Sequence, residues 1–192
     1  MAYLILGLII FLGVHSVRIV ADDWRTQTRS RLGELPWKGL YSAASLIGMG
    51  LLFWGFGLSR EQPTQLWSPP VAMRHMALLL TLVSFVLLSA AYIPNNGIKG
   101  RIHHPMVLAV LLWSLAHLLA NGNLAHVVLF GSFLVWSIFS FAAARRRDQT
   151  VGAAYPRGRA GPTALTILVG LCMWALFAFW LHSLLVGVRP LG

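Results

Sequence analysis

His15, His75, His103, His104, His117, His126 and His182 are the side chains of this 192-residue chain best suited to chemistry. A neutral imidazole binds metal through one ring nitrogen and titrates close to physiological pH. His104 precedes Pro105, and proline is favoured at the first position of a helix, so His104 reads as the capping residue of a helix over 105–120. Within that stretch the strongly polar side chains are Ser114 and His117. An imidazole in an otherwise apolar membrane helix needs a hydrogen-bonding group or a metal as partner, because an unsatisfied polar group in hydrocarbon is costly. His104 and His117 are 13 residues apart, roughly 20 Å along a helix axis, so they cannot share one ion. Each needs company from another helix.

The elements that must position these rings are six apolar runs, at about 2–20, 38–58, 71–93, 105–120, 123–144 and 163–187. With 57% hydrophobic and 10% charged residues, the composition is that of a polytopic membrane protein. The expected fold is all-α, a single domain over 1–192 built as a bundle of six transmembrane helices. The first run lacks a basic start and a small-residue cleavage site, so it reads as a retained helix. Net charge is +10, and its placement decides what it means. Arg18, Arg25, Arg29, Arg31, Lys38, Lys99, Arg101, Arg145, Arg146, Arg147, Arg157 and Arg159 fall in alternate segments, against Arg60, Arg74 and Arg189 in the others. That bias predicts an inside rich in arginine with both termini outside, in the periplasm, and it makes nucleic acid unnecessary as an explanation of the charge. Cys172 is alone, which excludes an internal disulfide and any multi-cysteine metal site.

Asp22–Trp37 reads as an amphipathic loop on the inner membrane surface, and residues 145–162 as a solvated inner loop touching anionic lipid. The second run, with Gly39, Gly48, Gly50, Gly55 and Gly57, suits helix packing rather than chemistry. Asn121-Gly122-Asn123 allows only a tight helical hairpin, which sets His117 and His126 at nearly equal depth on adjacent helices. The histidines sort into an inner layer of His15, His103 and His104 and an outer layer of His75, His117, His126 and His182. His15 and His117 are the deepest, roughly 10 Å apart along the membrane normal by helical rise, a separation that an inclined haem could bridge. For His15 a ring satisfied by a hydroxyl or carbonyl and a ring that binds metal remain equally open. The six runs contain no acid, so carboxylate dyads and carboxylate-bound metals are excluded there and imidazole is the available ligand.

GVHSVR at 13–18, RLGELPWKGLYSAASL at 31–46, LWSPP at 66–70, RHMALLL at 74–80 and HPMVLAVLLWSLAHLLANGNLAHVVLFGSF at 104–133 resemble the NnrU family of bacterial inner-membrane proteins. The resemblance covers about two thirds of the chain. It implies a link to nitrite and nitric-oxide metabolism and a relation to 15-cis-ζ-carotene isomerase, a haem b enzyme. It also implies two axial haem ligands, at His15 in the HS-x-R element and His117 in the LAHLLANGN element, with His75 and His104 in secondary roles. If both imidazoles bind, the haem is low-spin, and exchange of one would open the iron. Implied partners are membrane lipid, an apolar polyene substrate for cis–trans isomerisation and other membrane subunits. His103 stands where family members tend to carry arginine, and an Arg-His-Pro element is shared with isoprenylcysteine-type methyltransferases. Two alternatives therefore stand beside the haem reading: a non-catalytic assembly or regulatory partner of a respiratory membrane complex, and a membrane methyltransferase.

Overall fold

Apolar runs without interior proline, in a solvent that cannot bond to backbone groups, satisfy themselves as helices. The computed structural model describes residues 1–190 and is 83% helical, with no β-strand among those residues. The helices are α1 (Ala2–Val20), α2 (Asp22–Leu32), α3 (Glu34–Glu61), α4 (Val71–Tyr92), α5 (Gly97–Ile102), α6 (Pro105–Ala120), α7 (Leu124–Val151), α8 (Ala160–Leu176) and α9 (His182–Val186). A π-helical turn, Phe177–Leu181, joins α8 to α9, so Ala160–Val186 is one continuous rod. Five helices are long and apolar enough to cross a membrane: α1, α3, α4, α7 and the α8–α9 rod. α6 has 16 residues and is shorter, about 24 Å against a hydrocarbon core of about 30 Å.

His104 is the N-cap of α6 with Pro105 in its first turn, as the His-Pro pair predicts. Two stretches expected to be irregular are helical instead. Asp22–Trp37 forms α2 and the start of α3, where Pro36 is tolerated because the first-turn N–H groups have no partner to lose. Residues 145–151, expected in a solvated loop, continue α7. Asp148 finds three partners there, described below, and the helix stops only at Gly152, which takes the left-handed conformation at φ 60°.

α1 packs along α3 and α7, α7 along α6, and α4 along both α6 and α8. In cross-section the order is α3, α1, α7, α6, α4, α8, a curved row rather than a closed ring. Small residues set the closest approaches. A methyl added to Gly55 would lie 2.2 Å from the backbone nitrogen of Leu4, and one added to Gly170 would lie 2.6 Å from the Cα of Val86. Gly39, Gly50 and Gly57, on the other faces of α3, meet nothing. Leu46, Phe53, Phe139, Leu168 and Trp180 stand exposed, while the buried core is a small cluster around Leu4, Leu8, Leu52 and Ala125. Apolar residues outside and a small core inside suit a hydrocarbon solvent.

Both ends of the bundle are laced by loops. At the end where the described termini lie, Leu66 and Trp67 donate to the carbonyl of Gly122 at 2.8 and 3.1 Å, and Arg60 donates to the carbonyl of Val186 at 2.6 Å. At the opposite end Arg159 donates through its backbone to Asn95 at 2.8 Å, and the side chain of Asn96 caps α5.

Candidate functional site

α4 touches both α6 and α8, yet α6 and α8 do not touch each other. The gap between them is a cavity of about 660 Å³ with α4 as its floor. Three helices each deliver one imidazole to it: His75 from α4, His117 from α6 and His182 from α9. His75 follows the start of α4 by four residues, His117 precedes the end of α6 by three, and His182 precedes the end of α9 by four. All three helix ends belong to the terminal face, so the rings lie at one level about a turn inside it. Arg74, Asn121 and Arg189 line the mouth above them.

Toward the opposite end the cavity runs along α4 as far as Leu88, past Ala77, Leu78, Thr81, Ser84 and Phe85. The polar groups of this stretch are satisfied by the protein. Ser84 donates to the carbonyl of Ala109 at 2.7 Å, and the Trp174 indole donates to the Thr81 hydroxyl at 3.2 Å. The floor therefore presents an effectively apolar surface.

Hydrogen bonding sets the tautomers. Nδ1 of His117 lies 2.8 Å from the Trp113 carbonyl, and Nδ1 of His182 lies 2.7 Å from the Val188 carbonyl. A carbonyl only accepts, so each neutral ring carries its proton on Nδ1 and keeps the Nε2 lone pair, the arrangement found in most histidines that bind metal. Phe130 stacks on the His117 ring at 4.3 Å and restrains its plane.

The other histidines are placed elsewhere. His15 sits among α1, α3 and α7, its ring stacked on Phe11 and flanked by Tyr41 and Trp136. Its Nδ1 bonds the Phe11 carbonyl at 2.6 Å, which leaves Nε2 ready as in His117. His15 does not line the cavity; Phe11, Phe133 and Trp113 form the aromatic contacts that run from its side of the bundle to that of His117. His126 shares the hairpin with His117 but bonds the side chain of Asn123 and packs edge-on to Phe56, with Phe130 touching both rings.

His104 and His103 join a polar cluster at the opposite end. Nε2 of His104 donates to Asp148 at 2.8 Å, the Tyr155 hydroxyl donates to the same carboxylate at 3.1 Å, and His103 lies 3.8 Å from it. Arg145 donates to Nδ1 of His103, whose ring lies flat on Tyr155 at 4.0 Å. Burial and the bond to Asp148 push the Tyr155 phenol above its ordinary pKa. One signal for this cluster was present in the sequence: Asp148 is the only acid after Glu61. Nothing comparable singled out Arg74, Arg189 or His182 as neighbours, because they meet only through the packing of α4 against α8.

Among the described residues no three His, Cys, Asp or Glu side chains converge on a common metal position. The three imidazoles instead surround a volume typical of small-molecule and cofactor sites. A macrocycle that brings its own four equatorial nitrogens needs from the protein only one or two axial imidazoles, an apolar slot and cations for its acidic groups, and the cavity contains all three.

Apolar helices and a cavity ringed by imidazoles define the class: a helical membrane protein with a candidate cofactor site between its helices. A family model described as NnrU protein matches residues 3–190, nearly the whole chain, and the chain belongs to the NnrU family. No curated protein and no solved structure matches it.

Proposed function

We propose that this chain is a haem b-binding protein of the bacterial inner membrane, crossing it six times with both termini outside, and that haem occupies the cavity between α4, α6 and α8. The observation that carries the reading is the pair His117 and His182, which stand on opposite walls of one cavity with Nδ1 bound to a carbonyl and Nε2 spare. His117 and His182 would hold the haem iron, and His75, on the floor between them, would be the neighbour able to bond to either or to replace one. When bound, haem would supply a redox-active iron. The residues of the chain orient it, exclude water and set which imidazole is present. In the NnrU setting that iron serves nitrite and nitric-oxide metabolism.

The family resemblance pairs His117 with His15 instead. No described cavity contains both rings, so the present proposal keeps His117 and moves the second ligand to His182. The two assignments part cleanly in absorption and electron-spin spectra of detergent-purified protein. The expected result is a Soret band with a low-spin signal, haem lost in His117→Ala, haem retained in an altered spin state in His182→Ala, and no change in His15→Ala. A protein with no Soret band removes the haem reading, and a band unaltered in His117→Ala removes His117 as its ligand. Loss of the low-spin signal in His15→Ala with His182→Ala unchanged restores the His15 pair.

A second reading, haem-dependent cis–trans isomerisation of a polyene, is favoured by the apolar floor that continues past the imidazoles to Leu88. Conversion of a tri-cis polyene under reducing conditions, followed by chromatography of the isomers, tests it, and no conversion by haem-loaded protein rejects it.

A further inference from the structure

We infer that Arg74 and Arg189 form a clamp for two carboxylates at the mouth of the cavity, and that this clamp sets the orientation of the bound macrocycle; the inference rests on the haem reading above. The argument begins with where the chain avoids positive charge. Of its 15 lysines and arginines, Arg60, Arg74 and Arg189 alone belong to the segments of the terminal face. A cation on that side runs against the charge bias of the rest of the chain and needs a local reason. Arg60 has one, its bond to the Val186 carbonyl at 2.6 Å, which holds the end of α9 in place. Arg74 and Arg189 have no carboxylate partner among the described residues, and both line the mouth of the same cavity.

Of the five acids in the chain, Glu61 alone lies at that end. The positive charge at the mouth is thus left without internal compensation, directly above a slot whose floor polar groups are already bonded to one another. A ligand that matches this surface is apolar over most of its length and carries two anionic groups on one edge. The guanidinium fork engages carboxylate with two parallel hydrogen bonds, which restricts orientation as well as adding affinity. Haem b has that distribution of charge, with two propionates on one edge. With those groups at the mouth, its centre falls inward, on the side where His117 and His182 lie about one turn below the surface.

The test is a Soret titration of the detergent-purified apoprotein with haemin and with haemin dimethyl ester, in which both carboxylates are neutralised. Wild type is expected to bind the diester about 100-fold more weakly, from two charge-assisted contacts of about tenfold each. Arg74→Gln and Arg189→Gln each weaken haemin about tenfold and leave the diester nearly unchanged. The double variant no longer distinguishes the two ligands. Equal affinity of wild type for haemin and its diester overturns the clamp, and so does a double variant that discriminates as well as wild type. The comparison of ligands on wild-type protein needs no variant to fold. If wild type binds neither compound, the haem reading falls and the clamp with it; if it binds both equally, only the clamp falls.

Discussion

At the scale of single residues, the site depends on which ring nitrogen each imidazole has left over. His117 and His182 give Nδ1 to a carbonyl and retain Nε2, whereas His126 is tied to Asn123 and held off the cavity by Phe130. His126→Ala is therefore expected to leave the haem spectrum and reduction potential unchanged, as potentiometric titration would show. Asp148 is the opposite kind of residue, a lone carboxylate with 16% of its side chain exposed, holding His104 and Tyr155. Asp148→Asn keeps the shape but removes the charge that strengthens both bonds, and it should lower the unfolding midpoint in a denaturant titration in micelles. The indole N–H of Trp136 is the one buried side-chain polar atom without a partner among the described residues. Trp136→Phe removes that orphan donor, so its measured cost should be well below the about 3–5 kcal/mol of an ordinary loss of a large aromatic.

At the scale of elements, contacts between helices and loops carry different loads. Gly55 admits the backbone of Leu4 and Gly50 faces away from every neighbour. Gly55→Ala should destabilise by about 1–3 kcal/mol through overpacking, and Gly50→Ala should change stability by less than about 0.5 kcal/mol, a contrast that thermal unfolding in detergent reads directly. The link that ties the loop after α7 to α6 responds to pH through Tyr155. Its pKa is raised above the ordinary value of 10.0, so the neutral phenol is the form the fold prefers. The contribution is complete below about pH 10 and is lost as pH climbs through the raised folded value. Amide exchange of residues 152–159 should therefore accelerate at alkaline pH by more than intrinsic chemistry requires, and Tyr155→Phe should abolish the excess.

For the whole molecule, the order is α3, α1, α7, α6, α4, α8, and the separation of α8 from α6 across α4 is what creates the cavity. Packing α8 directly against α6 would fill the space that His117 and His182 line. The orientation proposed from the charge bias puts the terminal face, and with it the cavity mouth, outside. A phosphatase fused after the C-terminus should be active and a cytoplasmic fluorescent reporter at the same point dark; the reverse result would invert the topology and turn the cavity mouth inward.

Much of this was legible in the residues because helices in an apolar solvent are specified locally. The six runs match α1, α3, α4, α6, α7 and the α8–α9 rod, the His-Pro pair marks the start of α6, and Asn121-Gly122-Asn123 marks the hairpin, since each depends on backbone bonding and turn chemistry within a few residues. Depth was legible too, because it is a count of residues times a rise. Azimuth was not. Which face of each helix meets which neighbour depends on side-chain packing between segments far apart in the chain, such as Gly55 against Leu4 and Gly170 against Val86. Depth left His15 and His126 both open as companions of His117, and the family resemblance chose His15; packing put Phe11, Phe133 and Trp113 between the surroundings of His15 and His117 and brought His75, His117 and His182 around one cavity. The sequence determined how deep the imidazoles lie, and the tertiary structure decided which of them line one cavity, because rotation of a helix about its axis changes its neighbours without changing its length.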